Sequence, residues 1–318
     1  MKLVTFKTKE GSVHSGWLKD DGIVAMQKAH TSLPNDMLTF IDQHNSFFKI
    51  INDNNLEELA PHHQMSDVQL LAPLPNPRSV RDYLGFEQHM LNASKTFGHT
   101  IGGEYYEIPV FYFTNHNAIF GPEDEIKRPK NEDKMDLELE LAVVMGKKGS
   151  DIPVKDADDY IFGYTIFNDW TARALQRQEM TLPLGPAKGK DFANAFGPCI
   201  VTKDEFEDYR CSISRETHPA HLTMPKTTGD RFDITMTARI NGQTICEGNY
   251  KTAYWTFTQM ISRASDNVTL MPGDILGSGT VGWGSLIENK FSAHRPLEPG
   301  DVVELEVEGI GILRNTVV

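Results

Sequence analysis

The sequence predicts an α+β fold dominated by strand, a mixed β roll preceded by a small N-terminal β-rich unit. After residue 100, apolar runs of strand length outnumber helical patterns. No helices recur between them at the regular spacing that a doubly wound parallel sheet needs. A proline-punctuated stretch, Leu71-Ala72-Pro73-Leu74-Pro75-Asn76-Pro77, marks the boundary, because each proline confines its predecessor to extended backbone. The predicted division is therefore residues 1–70 and residues 71–318.

Taken in order, Lys2 to His30 reads as short strands with a turn at Asp20-Asp21-Gly22. Leu38 to Leu59 has a mixed pattern that predicts helix. Beyond the prolines, Phe86 to Thr96 predicts a helix and Pro109 to Gly146 predicts strands. Thr171 to Met180 reads as a short helix, as does Tyr254 to Ala264, where Trp255, Phe257, Met260 and Ile261 supply the apolar positions. The C-terminal third is again β-rich. Pro272-Gly273-Asp274 and Pro299-Gly300-Asp301 each place Pro and then Gly where a type II turn requires them.

Composition narrows the function classes. A net charge of −13 repels phosphate backbones and argues against a nucleic-acid partner. No stretch approaches a membrane span, and Met1 to Gly11 lacks the apolar region of a secretion signal. Cys199, Cys211 and Cys246 follow no metal or disulfide spacing, and an odd count suits a reducing compartment, so a cytoplasmic location is expected.

The chemistry concentrates in Asp136-Leu137-Glu138-Leu139-Glu140-Leu141, which alternates acid and leucine before an apolar run. Side chains alternate faces along a strand, so Glu138 and Glu140 point the same way. If that strand is buried, two like charges need a cation between them, and oxygen-only ligation favours Mg²⁺, Ca²⁺ or Mn²⁺ over zinc. The alternative is an amphipathic strand with its acidic face in water. Further on, Asp169 follows the apolar strand Tyr160 to Phe167 and precedes the helix. It is either a helix cap or a third metal ligand. Arg173 and Gln176 lie three apart on one helical face near the same end. Lys190, in a glycine-flanked loop, is placed to stabilise developing negative charge.

Three other motifs are set aside. Gly277-Ser278-Gly279-Thr280-Val281-Gly282 matches a dinucleotide fingerprint literally, but no helix is predicted to open there. Gly185 to Asp191 falls one residue short of a phosphate loop and ends in Asp where a hydroxyl belongs. In His218-Pro219-Ala220-His221 the proline disfavours a helix presenting both rings on one face.

Together, the D-x-E-x-E-x-A strand, Asn168-Asp169-Trp170-Thr171-Ala172-Arg173 and Gly189-Lys190-Asp191-Phe192 resemble the fumarylacetoacetate hydrolase family over residues 70–318. The resemblance implies that family's mixed β-sandwich roll with a small N-terminal β domain, usually as a homodimer. It implies Asp82, Glu138, Glu140 and Asp169 as metal ligands, with Mg²⁺ the first expectation and Ca²⁺ or Mn²⁺ as alternatives. His89 matches the water-activating histidine and Glu288 the acid that orients it, while Lys190, Gln176 and Thr280 match groups that contact substrate or intermediate. Arg173 is assigned beside them as a substrate-binding residue.

Asn92 stands where the acylpyruvase and oxaloacetate decarboxylase branch carries a glutamate, so the pattern sides with the carbon–carbon hydrolases. The substrate grip departs from that branch, with Leu84, Thr96 and Met180 replacing a tyrosine, an arginine and a tyrosine. The expected activity is hydrolysis of a small 1,3-diketo acid, of fumarylacetoacetate or acylpyruvate type, as in aromatic catabolism. The alternatives are a 2-oxo acid isomerase, hydratase or decarboxylase of the same family, or a metal-stabilised binding domain without turnover. Tyr209 to Phe232, rich in basic residues, looks inserted relative to the compact family pattern and is either a substrate-carboxylate loop or a solvated excursion.

Overall fold

A computed structural model describes residues 1–98, 100–182 and 184–318. Strand dominates it, in a twelve-stranded mixed sheet and a five-stranded sheet. The central strands of the large sheet are Leu139–Met145, Ile161–Asp169 and Asn194–Thr202, all antiparallel neighbours, with Asp274–Gly277 beside the first. Asp274–Gly277 then pairs in parallel with Ser79–Tyr83, which pairs antiparallel with Phe111–Thr114 at the sheet edge. The five-stranded sheet is built on Thr235–Ile240, Gln243–Asn249, Val302–Val307 and Gly311–Val317.

The N-terminal segment does not form a sheet of its own. Val13–Lys19 and Gly22–Ala25 make the expected hairpin, but Lys2–Thr8 joins the large sheet through Leu3 opposite Ile200. A boundary at residue 70 thus crosses a shared hydrogen-bonded sheet. Helices Met37–Asp42 and His44–Asp53 bring Phe40 and Phe47 onto that sheet, where they pack with Trp17, Val144 and Phe162 in one core. A second core lies on the other face and joins the large sheet to the five-stranded one through Leu141, Val143, Met236 and Leu305.

The longest of the remaining helices are Glu87–Phe97, Arg173–Glu179 and Phe257–Ser265. The last opens with a capping box, in which Thr256 and Gln259 satisfy each other's backbone. Both type II turns are present. Gly273 and Gly300 have φ of +80° and +98°, and Asp274 and Asp301 close them onto Met271 and Glu298 carbonyls.

Candidate metal centre and histidine–glutamate pair

Period-two alternation builds the site. Val80, Ala142 and Phe167 belong to the core on the helix-covered face, and the next residues on the same face are Asp82, Glu140 and Asp169. Three strands of one sheet therefore turn from apolar to acidic on one face, with Asp274–Gly277 lying between those of Asp82 and Glu140. Glu138 lies just before its strand, anchored by its N–H on Asn168 Oδ1 at 3.0 Å. Oxygens of Asp82, Glu138, Glu140 and Asp169 all come within 4.8 Å of one another, and all four side chains are buried. The water-facing alternative for this strand is thereby excluded.

The glycine-rich stretch that mimics a dinucleotide fingerprint serves this cage instead. No helix opens there; Asp274–Gly277 runs into turns. A Cβ on Gly277 would lie 2.6 Å from Asp82 Oδ1 and 2.9 Å from Glu140 Oε2, so only glycine leaves the carboxylates their space. Gly279, at φ +82°, turns its N–H onto Glu140 Oε2 at 2.9 Å. Thr280 Oγ1 reaches the other oxygen at 3.5 Å.

Two buried cations share these acids. Lys190 Nζ bridges Glu138 Oε2 and Asp169 Oδ2, the latter at 2.6 Å. Arg173 donates to Glu138 Oε1 at 2.7 Å, to Asp136 Oδ2 at 2.8 Å and to Gln176 Oε1 at 3.1 Å. Burial alone would raise Glu138, but Lys190 and Arg173 outweigh it and hold its carboxyl below the usual range. For the others burial prevails, at Asp169 even against its contact with Lys190. Burial, with the charge of Asp169, pushes Asp82 up to about 8, and burial with Asp82 close by drives Glu140 well above its ordinary value.

Asp169 does not cap the helix that follows. The Ala174 and Leu175 N–H groups donate instead to Glu132, each at 3.1 Å. Asp169 Oδ2 accepts from Tyr112 Oη at 2.5 Å as well as from Lys190, while Oδ1 is buried without a partner. An orphaned carboxylate oxygen facing three further carboxylates is costly unless a cation completes it. The donor set is all oxygen, so the residues present fit a hard divalent cation.

His89 and Glu288 are both buried and stand side by side, with Nδ1 3.0 Å from Oε1. That is ion-pair distance, although the angle falls outside good hydrogen-bond geometry. Burial lowers the His89 pKa, but the Glu288 charge and its contact prevail, and the net shift is upward. Glu288 is itself over-determined. Ser285 N and Oγ donate to Oε1, while Trp283 N and Asn92 Nδ2 donate to Oε2 at 2.7 and 2.8 Å.

Each residue singled out from the sequence is thus placed. Asp82, Glu138, Glu140, Asp169, Lys190, Arg173 and Thr280 meet at the cage, Gln176 touches it through Arg173, and His89 pairs with Glu288. Four contributors were missed. Asp136, which holds Arg173 and accepts the Leu286 and Ile287 N–H groups, was visible as the first acid of the alternating run. Tyr112 sits opposite Asp82 only through sheet register, which no local pattern reveals. Asn92 and Glu132 likewise act on partners far away in the chain.

A buried four-carboxylate cage beside a histidine–glutamate pair, at the end of a mixed β roll, defines a class of metal-site proteins with enzymatic machinery. Residues 78–318 match the family model for the fumarylacetoacetate (FAA) hydrolase C-terminal domain, and the chain belongs to that family. It is 30% identical to fumarylacetoacetase of Arabidopsis thaliana over 284 residues, 78% of this chain and 66% of that protein. The chain thus matches just under two thirds of that relative's length. It is 28% identical over its whole length to a fumarylacetoacetate hydrolase domain-containing protein 2 homolog of Dictyostelium discoideum, covering 97% of it. Among solved structures, a 5-carboxymethyl-2-hydroxymuconate delta-isomerase from Mycobacterium smegmatis superposes with a TM-score of 0.68. Identity there is 26%, over 100% of this chain and 98% of the other. The family thus includes proteins named as hydrolases and as isomerases. Among the described residues, no helix is long and apolar enough to cross a membrane.

Proposed function

We propose that this protein is a divalent-cation-dependent hydrolase that cleaves a carbon–carbon bond in a small 1,3-diketo acid of fumarylacetoacetate or acylpyruvate type. The observation that carries this reading is the His89–Glu288 pair set against the carboxylate cage. A structural metal site needs no water-activating base, which weighs against a binding domain without turnover. Asp82, Glu138, Glu140 and Asp169 would hold the cation, Mg²⁺ by preference with Ca²⁺ or Mn²⁺ as alternatives. A bound cation would supply a Lewis acid that polarises substrate oxygens and favours the enolate form.

The protein's own groups do the rest. Glu288 faces Nδ1 and so fixes the proton there, leaving Nε2 as the nitrogen that takes a proton from water. The imidazolium that results is stabilised by the same carboxylate. Lys190 and Gln176, with Thr280, would donate to the oxygen that becomes negative, a contribution of about a few kcal/mol per donor. His89 then returns its proton to the departing carbon. The products are a carboxylic acid and a ketone or keto acid.

Of the second reading, a 2-oxo acid isomerase, hydratase or decarboxylase, the isomerase is supported by the 26% identity to the mycobacterial isomerase. Incubation with acylpyruvates, fumarylacetoacetate, oxaloacetate and a hydroxymuconate, with products identified by mass spectrometry, separates the two. Two carbon fragments with one solvent oxygen incorporated support the hydrolase. A product of unchanged mass, or loss of CO₂ alone, would discard it.

A further inference from the structure

The basic segment between Arg210 and Phe232 is neither a free loop nor a cation supply for substrate. Its ends pair with each other, Arg210 opposite Phe232 and Cys211 opposite Arg231. Its basic side chains hold it in shape. Arg215 donates to the Leu222 carbonyl at 3.0 Å and the Ala220 carbonyl at 2.6 Å. Arg231, fully buried, donates to the carbonyls of Thr227, Gly229, Ala253 and Tyr254. Arg210 is engaged by Asp158, Glu207 and Asp230.

The tip of this segment lands on the helix that carries His89. Thr223 N and Oγ1 each donate to the Glu87 carboxylate at 2.6 Å, and Tyr106 Oη adds a third donor at 2.8 Å. His221 Nε2 donates to Gln88 Oε1 at 2.5 Å. These two contacts hold the first turn of Glu87–Phe97, whose N-cap, Phe86, provides no capping side chain. An uncapped first turn leaves orphan N–H groups and frays most easily.

From Gln88 the donors run in one direction. Gln88 Nε2 donates to Asn92 Oδ1 at 2.9 Å, and Asn92 Nδ2 donates to Glu288 Oε2 at 2.8 Å. On its other side Gln88 is pressed against Gly282, where an added Cβ would come within 2.5 Å of its side chain.

We propose that residues 210–232 form a positioning clamp for the His89–Glu288 pair, with Thr223 and His221 fixing the helix turn and the Gln88–Asn92 amides passing that constraint to Glu288. The inference rests on the water-activating role proposed above for His89. Thr223 and His221 are exposed, so Thr223→Val, His221→Ala and the double variant test it in the Mg²⁺-loaded protein without risk to the core. In the double variant kcat falls roughly tenfold to a hundredfold, while KM and Mg²⁺ affinity stay within about twofold. Amide hydrogen exchange quickens in Glu87–Phe97 and not in Leu139–Met145. His221→Gln, whose side-chain N–H can still donate to Gln88, behaves as wild type. Unchanged exchange in that helix overturns the clamp, as does a loss of kcat matched by loss of Mg²⁺ affinity. Failure of the hydrolase reading is a separate result: His89→Ala would then keep its turnover, and the exchange data would still decide the clamp.

Discussion

The carboxylate cage and the rim around the helix Arg173–Glu179 differ in how tightly the fold specifies them. In the cage every acid is buried, three come from strands of one sheet, and Gly277, on the strand between those of Asp82 and Glu140, keeps the space clear. At the rim, Met180, Leu182 and Leu184 are 57%, 64% and 91% exposed. That loop is tied down mainly by Glu179, which accepts the Ala187, Lys188 and Gly189 N–H groups. Packing thus dictates where charge can develop and leaves open what lies beyond it. Under the proposed function, reaction class would rest on the cage and substrate identity on the exposed residues around Met180.

The sharpest way to break this contrast is at the base. His89→Ala is expected to lower turnover by roughly 10²–10⁴-fold with cation affinity nearly unchanged, because the imidazole pairs with Glu288 and not with a cage carboxylate. Steady-state kinetics with calorimetric cation titration would show it, and near-wild-type turnover would remove His89 from the chemistry. Next in size is Gly277→Ala, whose methyl would press on Asp82, Phe167 and Glu140 at 2.6–2.9 Å. It should cost about 1–3 kcal/mol of stability and abolish cation binding. A variant that folds and binds normally would mean the cage is looser than its geometry implies.

A smaller effect follows from protonation. Without a cation, burial holds Asp82 protonated up to about 8 against an ordinary value of 3.8. The folded chain then keeps a proton that the unfolded chain has released, so stability falls as pH rises between these two values. Saturating Mg²⁺ should offset that slope, because it binds the deprotonated carboxylates. Thermal unfolding near pH 5 and near pH 8, with Mg²⁺ and with chelator, measures both slopes. Equal slopes would count against the cage. The smallest effects belong to the rim: Met180→Ala and Leu182→Ala should shift KM a few-fold with kcat nearly constant, since neither is packed enough to move the cage.

What the sequence disclosed divides along the same line. Glu138 and Glu140 were legible because alternation is local, and the two Pro-Gly-Asp turns because their chemistry is local too. Asp169 was legible locally as a helix cap or a third ligand, whereas Asp82, His89 and Glu288 were readable through resemblance alone, since their meeting depends on sheet order. Tyr112 and the pairing of Lys2–Thr8 with Asn194–Thr202 left no trace in any window of residues, being products of long-range register. Residues 210–232 gave a basic composition that suggested anion binding. Folded, those charges are taken up by the protein itself, Arg215 and Arg231 on backbone carbonyls and Arg210 and Lys226 on carboxylates, which composition cannot distinguish.

The most direct test of the central claim is to locate the ion. Crystals grown with Mn²⁺ and measured at its absorption edge should show one anomalous peak per chain, bounded by oxygens of Asp82, Glu138, Glu140 and Asp169. A peak elsewhere, or none at a saturating concentration, would contradict the assignment of those four carboxylates to a single cation.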